Sequence, residues 1–321
     1  MSPRRRAGKK LLKALLPVIF APVLVGAVFA VWVVRGASHP PRRAYLMTPE
    51  DFALVSERGL KVTEETWQND DGTQARGWLL RGTEGAPALV ILHRYGADRS
   101  WVLNLGVKVN EATNFTILWP DLRGHGQDPP VQTTSFGPSE SKDVLAAEAF
   151  LRGLKTPQGR PLVGESVGLY GVELGAYAAL LAARDDERVK ALVLDSAPAS
   201  ADDALYGVVS ERTGMDNGLL RLLARAGARL YFLGGYESAP ACTVAEGLKG
   251  RRTLLLAGED SGRLRASTEA LAKCFADPAS VELRADLPIT GFKVESASGQ
   301  QSETYASLVI DFFKRTLGPA S

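Results

Sequence analysis

Short, uninterrupted apolar runs alternate with helical patterns along most of this chain, and that alternation restricts its fold more than any other feature. The runs are 87–92 (PALVIL), 115–119 (FTILW), 167–171 (VGLYG), 190–194 (KALVL) and 252–257 (RTLLLA), with a last one near 280–285. A strand that is apolar at every position is buried on both faces, as happens in a parallel sheet covered by helices on each side. Helical periodicity fills the gaps at 101–112, 138–155, 174–184 and 265–276, and 303–317 closes the chain as an amphipathic helix. Ahead of the alternation, 61–68 and 73–80 flank the turn Asn69-Asp70-Asp71-Gly72 and read as a β-hairpin. Before the hairpin, Thr48 is placed to cap a helix whose first position is Pro49. The expected class is α/β, with an eight-stranded, mostly parallel, doubly wound sheet spanning 48–318. Residues 197–250 lack a strand pattern and read as a short helical cap.

The N-terminus carries a second signal. Residues 14–34 (ALLPVIFAPVLVGAVFAVWVV) contain no charge, and at about 1.5 Å per residue they reach roughly 30 Å, the thickness of a bilayer's hydrocarbon core. Pro17 and Pro22 would break a helix in water but are tolerated in a membrane span. Arg4, Arg5, Arg6, Lys9, Lys10 and Lys13 precede the run in the basic segment 1–13, whereas Arg35, Arg42 and Arg43 come after it in the linker 35–47. That asymmetry predicts a single-pass anchor with the N-terminus cytoplasmic and the main domain extracytoplasmic, periplasmic or extracellular. A cleaved signal peptide ending near Val28-Phe29-Ala30 is the rival reading; the length of the run favours the anchor. Either way the domain is exported, and the lipid bilayer is the expected partner of residues 14–34.

Charge and cysteine content narrow the function classes. The formal net charge is only +2, and the excess sits in the N-terminal segment, which argues against nucleic-acid binding. Two cysteines and three histidines offer little for a metal site, and no cofactor motif is present. In an oxidising compartment Cys242 and Cys274 either form a disulfide or remain as two buried thiols.

Three local motifs then make the chain resemble the α/β-hydrolase superfamily, in particular its membrane-anchored or secreted serine-hydrolase-like members. Residues 90–100 (VILHRYGADRS) are similar to the end of the family's third strand, usually His-Gly-x-Gly. Residues 119–128 (WPDLRGHGQD) are similar to its strand-four loop, and 167–200 to its nucleophile elbow, the helix after it and strand six. The resemblance covers about residues 45 to 318. It implies a serine nucleophile on the elbow, an acid after strand six or seven, and a histidine after strand eight.

Two Gly-x-x-x-Gly pentads compete for the elbow: Gly164-Glu165-Ser166-Val167-Gly168 and Gly171-Val172-Glu173-Leu174-Gly175. An elbow needs a buried strand running in and a helix running out, and only the second pentad has both. Glu173 therefore stands where the serine would, and Ser166 is a decoy at the start of the strand. The stretch LLLAGEDSGR puts Ser261 in the acid's place, with Asp260 one residue early, and RADLPITGFK puts Phe292 in the histidine's place. His39, His93 and His125 are the only histidines, so none comes after either pentad. The backbone N–H groups of Tyr95 and Leu174 remain as oxyanion-type donors, although Arg94 replaces a glycine beside them. His93 and His125 read as structural, Asp195 as a hydrogen-bonding residue, and Glu173 with Arg94 as an ion pair filling the former site.

The expectation is a degenerate triad, in which a membrane-anchored protein of this fold works by binding or scaffolding, with a small ligand or an envelope protein as partner. The alternative is a non-standard hydrolase of esterase, dehalogenase or epoxide-hydrolase type, using Glu173 as nucleophile.

Overall fold

In a computed structural model that describes residues 3–55, 61–233, 235–293 and 299–318, all eight expected strands form one sheet. The strands are β1 (Val62–Gln68), β2 (Gln74–Leu80), β3 (Ala86–Leu92), β4 (Thr116–Pro120), β5 (Val163–Val172), β6 (Val189–Asp195), β7 (Arg252–Gly258) and β8 (Val281–Leu287). Their order is β1-β2-β4-β3-β5-β6-β7-β8. The hairpin β1–β2 joins β4 antiparallel, and every pair from β4 onward is parallel. Ten helices accompany the sheet among the described residues: α1 (Pro3–Ser38), α2 (Pro49–Val55), α3 (Leu103–Thr113), α4 (Pro138–Gly153), α5 (Leu174–Asp185), α6 (Ala201–Thr213), α7 (Gly218–Tyr231), α8 (Ala241–Glu246), α9 (Leu264–Ala272) and α10 (Gly299–Leu317).

Burial tracks the apolar pattern. β4 is buried at every position, and β5 is buried from Val167 to Val172, whereas the edge strand β1 alternates toward solvent. One large core cluster joins Trp78 and Trp119 with Leu89, Ile91, Val193 and Leu256 of the sheet. It continues through Val309, Phe312 and Phe313 of α10. Thr48 caps α2 as expected, its hydroxyl accepting the Asp51 N–H at 3.2 Å.

The chain divides into two compact units. One holds the sheet, in residues 38–204 and 238–321; the other joins the N-terminal helix through Ala37 to Leu205–Glu237. The division modifies two expectations. The central part of the cap, 205–237, groups with α1, while its flanks belong with the sheet. The linker is shorter than its composition suggests, because α1 stays helical through Ser38 despite Pro17 and Pro22. Residues 38–46 are fastened within the sheet unit by hydrogen bonds at both ends. Tyr45 donates its hydroxyl to Asp121 at 2.8 Å, Leu46 N–H donates to Ser100 Oγ at 2.9 Å, and Thr134 N–H donates to the Ser38 carbonyl at 2.9 Å.

Within α1, Phe20–Ser38 is long and apolar enough to cross a membrane. Val18, Phe20, Val23, Leu24, Val25 and Val28 are exposed, whereas Ala30, Val33, Val34 and Ala37 are buried. The side chains of residues 3–16, including the six cations, lie outside the described ones.

Cys242 on α8 and Cys274 after α9 are joined in a disulfide. Closing a loop of 32 residues restricts the unfolded chain and is worth about 4 kcal/mol. Reduction should lower the urea-unfolding stability of the sheet unit by that amount, and an unchanged midpoint would mean that the bond adds nothing.

Candidate active site

β5 runs to Val172 and α5 starts at Leu174, so Glu173 alone forms the turn between them. Its backbone sits at φ 50° and ψ −107°, a region that non-glycine residues rarely occupy. The turn closes because Gly171 and Gly175 have no side chains. A Cβ on Gly171 would lie 2.3 Å from the Gly175 carbonyl, and one on Gly175 would lie 2.7 Å from the His93 carbonyl. The Glu173 N–H bonds the Asp195 carbonyl at 2.9 Å, tying the turn to the end of β6. This is the strand–turn–helix geometry of a nucleophile elbow, with glutamate at its tip. Ser166 lies inside β5, near its start and seven residues upstream.

The Glu173 side chain points into the space that the two expected oxyanion donors enclose. Its Oε2 accepts the Tyr95 N–H at 2.7 Å, and the adjoining Leu174 amide also favours the charged carboxylate. Burial pushes this carboxyl above its ordinary range. The Tyr95 and Leu174 amides and the nearby Arg94 and Arg263 charges oppose that rise.

The expected Glu173–Arg94 ion pair does not form. Arg94 instead lies over the rings of Trp101, at 4.6 Å, and Phe292, at 5.4 Å, and its Nη1 donates to the Tyr95 carbonyl at 3.2 Å. The Tyr95 amide already bonds the carboxylate, and two aromatic faces hold the planar guanidinium.

The residues expected at the acid and histidine positions are engaged elsewhere. Phe292 is half-buried beneath Arg94. Asp260 Oδ2 accepts the Thr290 N–H at 3.0 Å. Ser261 Oγ accepts the Gly258 N–H at 3.0 Å and lies 2.8 Å from Ser196 Oγ. Behind them is a network that motif reading missed. Buried Asp195 accepts from Ser196 Oγ at 2.6 Å, from the Gly291 N–H at 2.7 Å and from the Tyr305 hydroxyl. Tyr305 has one proton and gives it to Asp195, so Tyr170 donates to Tyr305 across their 2.7 Å contact. By the same count Ser261 donates to Ser196. Burial raises the Asp195 carboxyl to about 6, against the lowering effect of its donors. The available signal was a pair of tyrosines, Tyr170 and Tyr305, inside otherwise apolar runs.

His93 uses both nitrogens. Nδ1 donates to the Arg94 carbonyl at 2.8 Å and Nε2 accepts the Leu122 N–H at 3.0 Å, which clamps the loop after β3 to the loop after β4. His125 Nδ1 donates to the Arg123 carbonyl at 2.9 Å. Burial lowers both imidazoles, to about 4 and about 3, so each is neutral near pH 7. Among the described residues no cluster of histidine, cysteine and carboxylate side chains has the geometry to hold a metal ion.

No protein-family model matches the chain. A thiohydrolase, AneE of Aspergillus aculeatus, is 29% identical over 124 residues, a match that spans 38% of this chain and 37% of that protein. Solved structures resemble it over far more of its length. The Pyrococcus furiosus esterase Pf2001 superposes with a TM-score of 0.65 at 19% identity, covering 88% of this chain and 98% of its own. The α/β-hydrolase GrgF from a Penicillium species gives 0.58 at 19% identity, covering 81% and 100%. Strand order, the elbow between β5 and α5 and these neighbours agree: the chain is built on the α/β-hydrolase fold.

Proposed function

We propose that this is a membrane-anchored protein of hydrolase fold that no longer works through a nucleophile–histidine–acid triad and acts by binding or scaffolding. The observation that carries this reading is the Glu173 carboxyl, which takes the Tyr95 N–H at 2.7 Å beside the Leu174 amide. Those are the two donors that would stabilise the oxygen of a tetrahedral intermediate. The carboxyl that lies against them belongs to the protein. The sequence supports the same reading, because the triad positions hold Glu173, Ser261 and Phe292 and no histidine comes after residue 125. Without a base, a hydroxyl on this turn would remain a weak nucleophile.

The anchor reading rests on the apolar span in α1, the cations that precede it, and the disulfide, which suits an oxidising compartment on the far side of the membrane. The partner it predicts is a small ligand or another envelope protein.

Detergent-solubilised full-length protein should hydrolyse p-nitrophenyl esters and acyl thioesters no faster than its Glu173→Ala variant. Turnover at least about tenfold above that variant, or 1.4 kcal/mol of barrier, would sink the non-catalytic reading.

The retained strain at Glu173 favours one second reading, in which the carboxylate itself attacks an electrophilic carbon and forms an ester intermediate. Mass spectrometry after incubation with haloalkanes and epoxides tests it. A covalent adduct on Glu173 would establish it, and an unmodified peptide across the panel would remove it.

A further inference from the structure

The helix α7 has more apolar surface than its own unit covers. Leu219, Leu222, Leu230 and Leu233 at and just beyond α7 are 67%, 63%, 52% and 90% exposed. At about 100° per residue Leu219, Leu222 and Leu230 fall within one sector of the helix, with the exposed Ala226 among them. A second sector is buried and contains Leu220, Ala224, Gly227 and Ala228. The third carries Arg221, Arg225 and Arg229, spaced four residues apart. The result is a helix with three faces: one packed, one leucine and one arginine. A surface helix of a protein in water needs only the first and a polar remainder.

The packed face fixes the depth at which the leucines lie. Gly227 meets α1 so closely that a Cβ there would stand 2.5 Å from the Ala30 carbonyl and 3.0 Å from Val34. In the same unit, Arg212 of α6 donates to the Gly36 carbonyl near the end of α1. Ala30 and Val34 belong to the apolar span Phe20–Ser38. Ala30 is four residues short of Val34, where the uncharged run ends before Arg35, or roughly 6 Å along the helix. A helix docked at that depth meets the boundary between headgroups and acyl chains whenever α1 crosses a bilayer.

We propose that α7 is an in-plane membrane helix. Its leucine face enters the acyl-chain boundary of the leaflet that α1 exits, and its arginine face meets the phosphates of anionic lipids. This inference rests on the anchor reading of α1. The occupant is a lipid bilayer because the helix against which α7 packs already exposes Val18, Phe20, Val23, Leu24, Val25 and Val28 in its apolar span. Leucines on one side and arginines on the adjoining side is the composition of helices that lie in an interface.

The test uses full-length protein in vesicles of phosphatidylcholine and phosphatidylglycerol, with one nitroxide-labelled cysteine per variant. The native cysteines are joined to each other, so they do not compete for label. Labels at Leu222→Cys and Leu230→Cys report on the leucine face of α7, and Arg225→Cys reports on its arginine face. Val25→Cys reports on α1, and Glu187→Cys, an exposed residue of the sheet unit, reports on water. Collisions with oxygen, relative to a water-soluble nickel chelate, should be about tenfold higher at 222 and 230 than at 187, with 225 close to 187. If 222 and 230 match 187 while 25 reads as lipid, the α7 inference fails and the anchor stands. If 25 also reads as water, both fall. Spin–spin broadening between labels at 222 on different copies would instead place a second copy on the leucine face and overturn the proposal.

Discussion

Replacing Gly171 with alanine should destabilise the sheet unit by about 5 kcal/mol, at the far end of what single substitutions do. The added methyl would sit 2.3 Å from both the carbonyl carbon and oxygen of Gly175 and 2.5 Å from the Ala176 nitrogen. All three are backbone atoms in the first turn of α5, so no side chain can rotate away. Relief requires lifting the helix from the sheet or opening the turn at Glu173. Gly168, three residues earlier on the same strand, makes the comparison. Its Cβ would meet side-chain atoms of Leu89, Leu317 and Phe313, which can repack, and alanine there should cost about 2 kcal/mol. Urea unfolding of the full-length protein in detergent reads both. If Gly171→Ala loses less than Gly168→Ala, the close approach of strand and helix does not hold the elbow.

Asp195→Ala should cost about 4 kcal/mol, because it strips the acceptor from three buried donors, Ser196 Oγ, Gly291 N–H and Tyr305 OH. The effect should depend on pH in a definite direction. The carboxyl rises from 3.8 to about 6 on folding, so the folded chain holds this proton more tightly than the unfolded chain. The stabilisation is therefore fully present below about pH 4 and declines as pH rises to about 6, by on the order of 3 kcal/mol. The gap between wild type and Asp195→Ala should be wider at pH 4 than at pH 7. Asp195→Asn, which cannot titrate, should lose that slope. A gap that widened with rising pH would mean that the folded carboxyl is held low and that the network favours the anion.

The sheet was readable because continuous apolar runs such as PALVIL and FTILW report burial on both faces, which is a property of one short segment. The elbow was readable for the same reason, since VGLY before Glu173 and AYAALLAA after it are strand and helix signals on their own. Local pattern does not report the partner of a polar side chain. Glu173 and Tyr95 are 78 positions apart, and Tyr305 and Asp195 are 110 apart. Arg94 was expected to meet Glu173 because it ends a neighbouring strand. The aromatic faces of Trp101 and Phe292 won, and the carboxylate takes the Tyr95 amide instead. Residues 35–38 read as linker from their composition, yet α1 continues through them because Arg212 reaches the Gly36 carbonyl from 176 positions away.

The turn that holds Glu173 also fixes the local concentration of its carboxylate. A group attached through two methylenes to the residue beside Leu174 is never more than a rotamer away from the two amides. Its effective concentration there is that of a short tether, on the order of millimolar or more. The chain thus carries its own competitive ligand, covalently attached and renewed with every copy synthesised. An incoming carboxylate would have to displace this one before touching either N–H. Shortening the side chain to Gly or Ala would remove the competitor and leave two inward-facing amides open to an anion from solution.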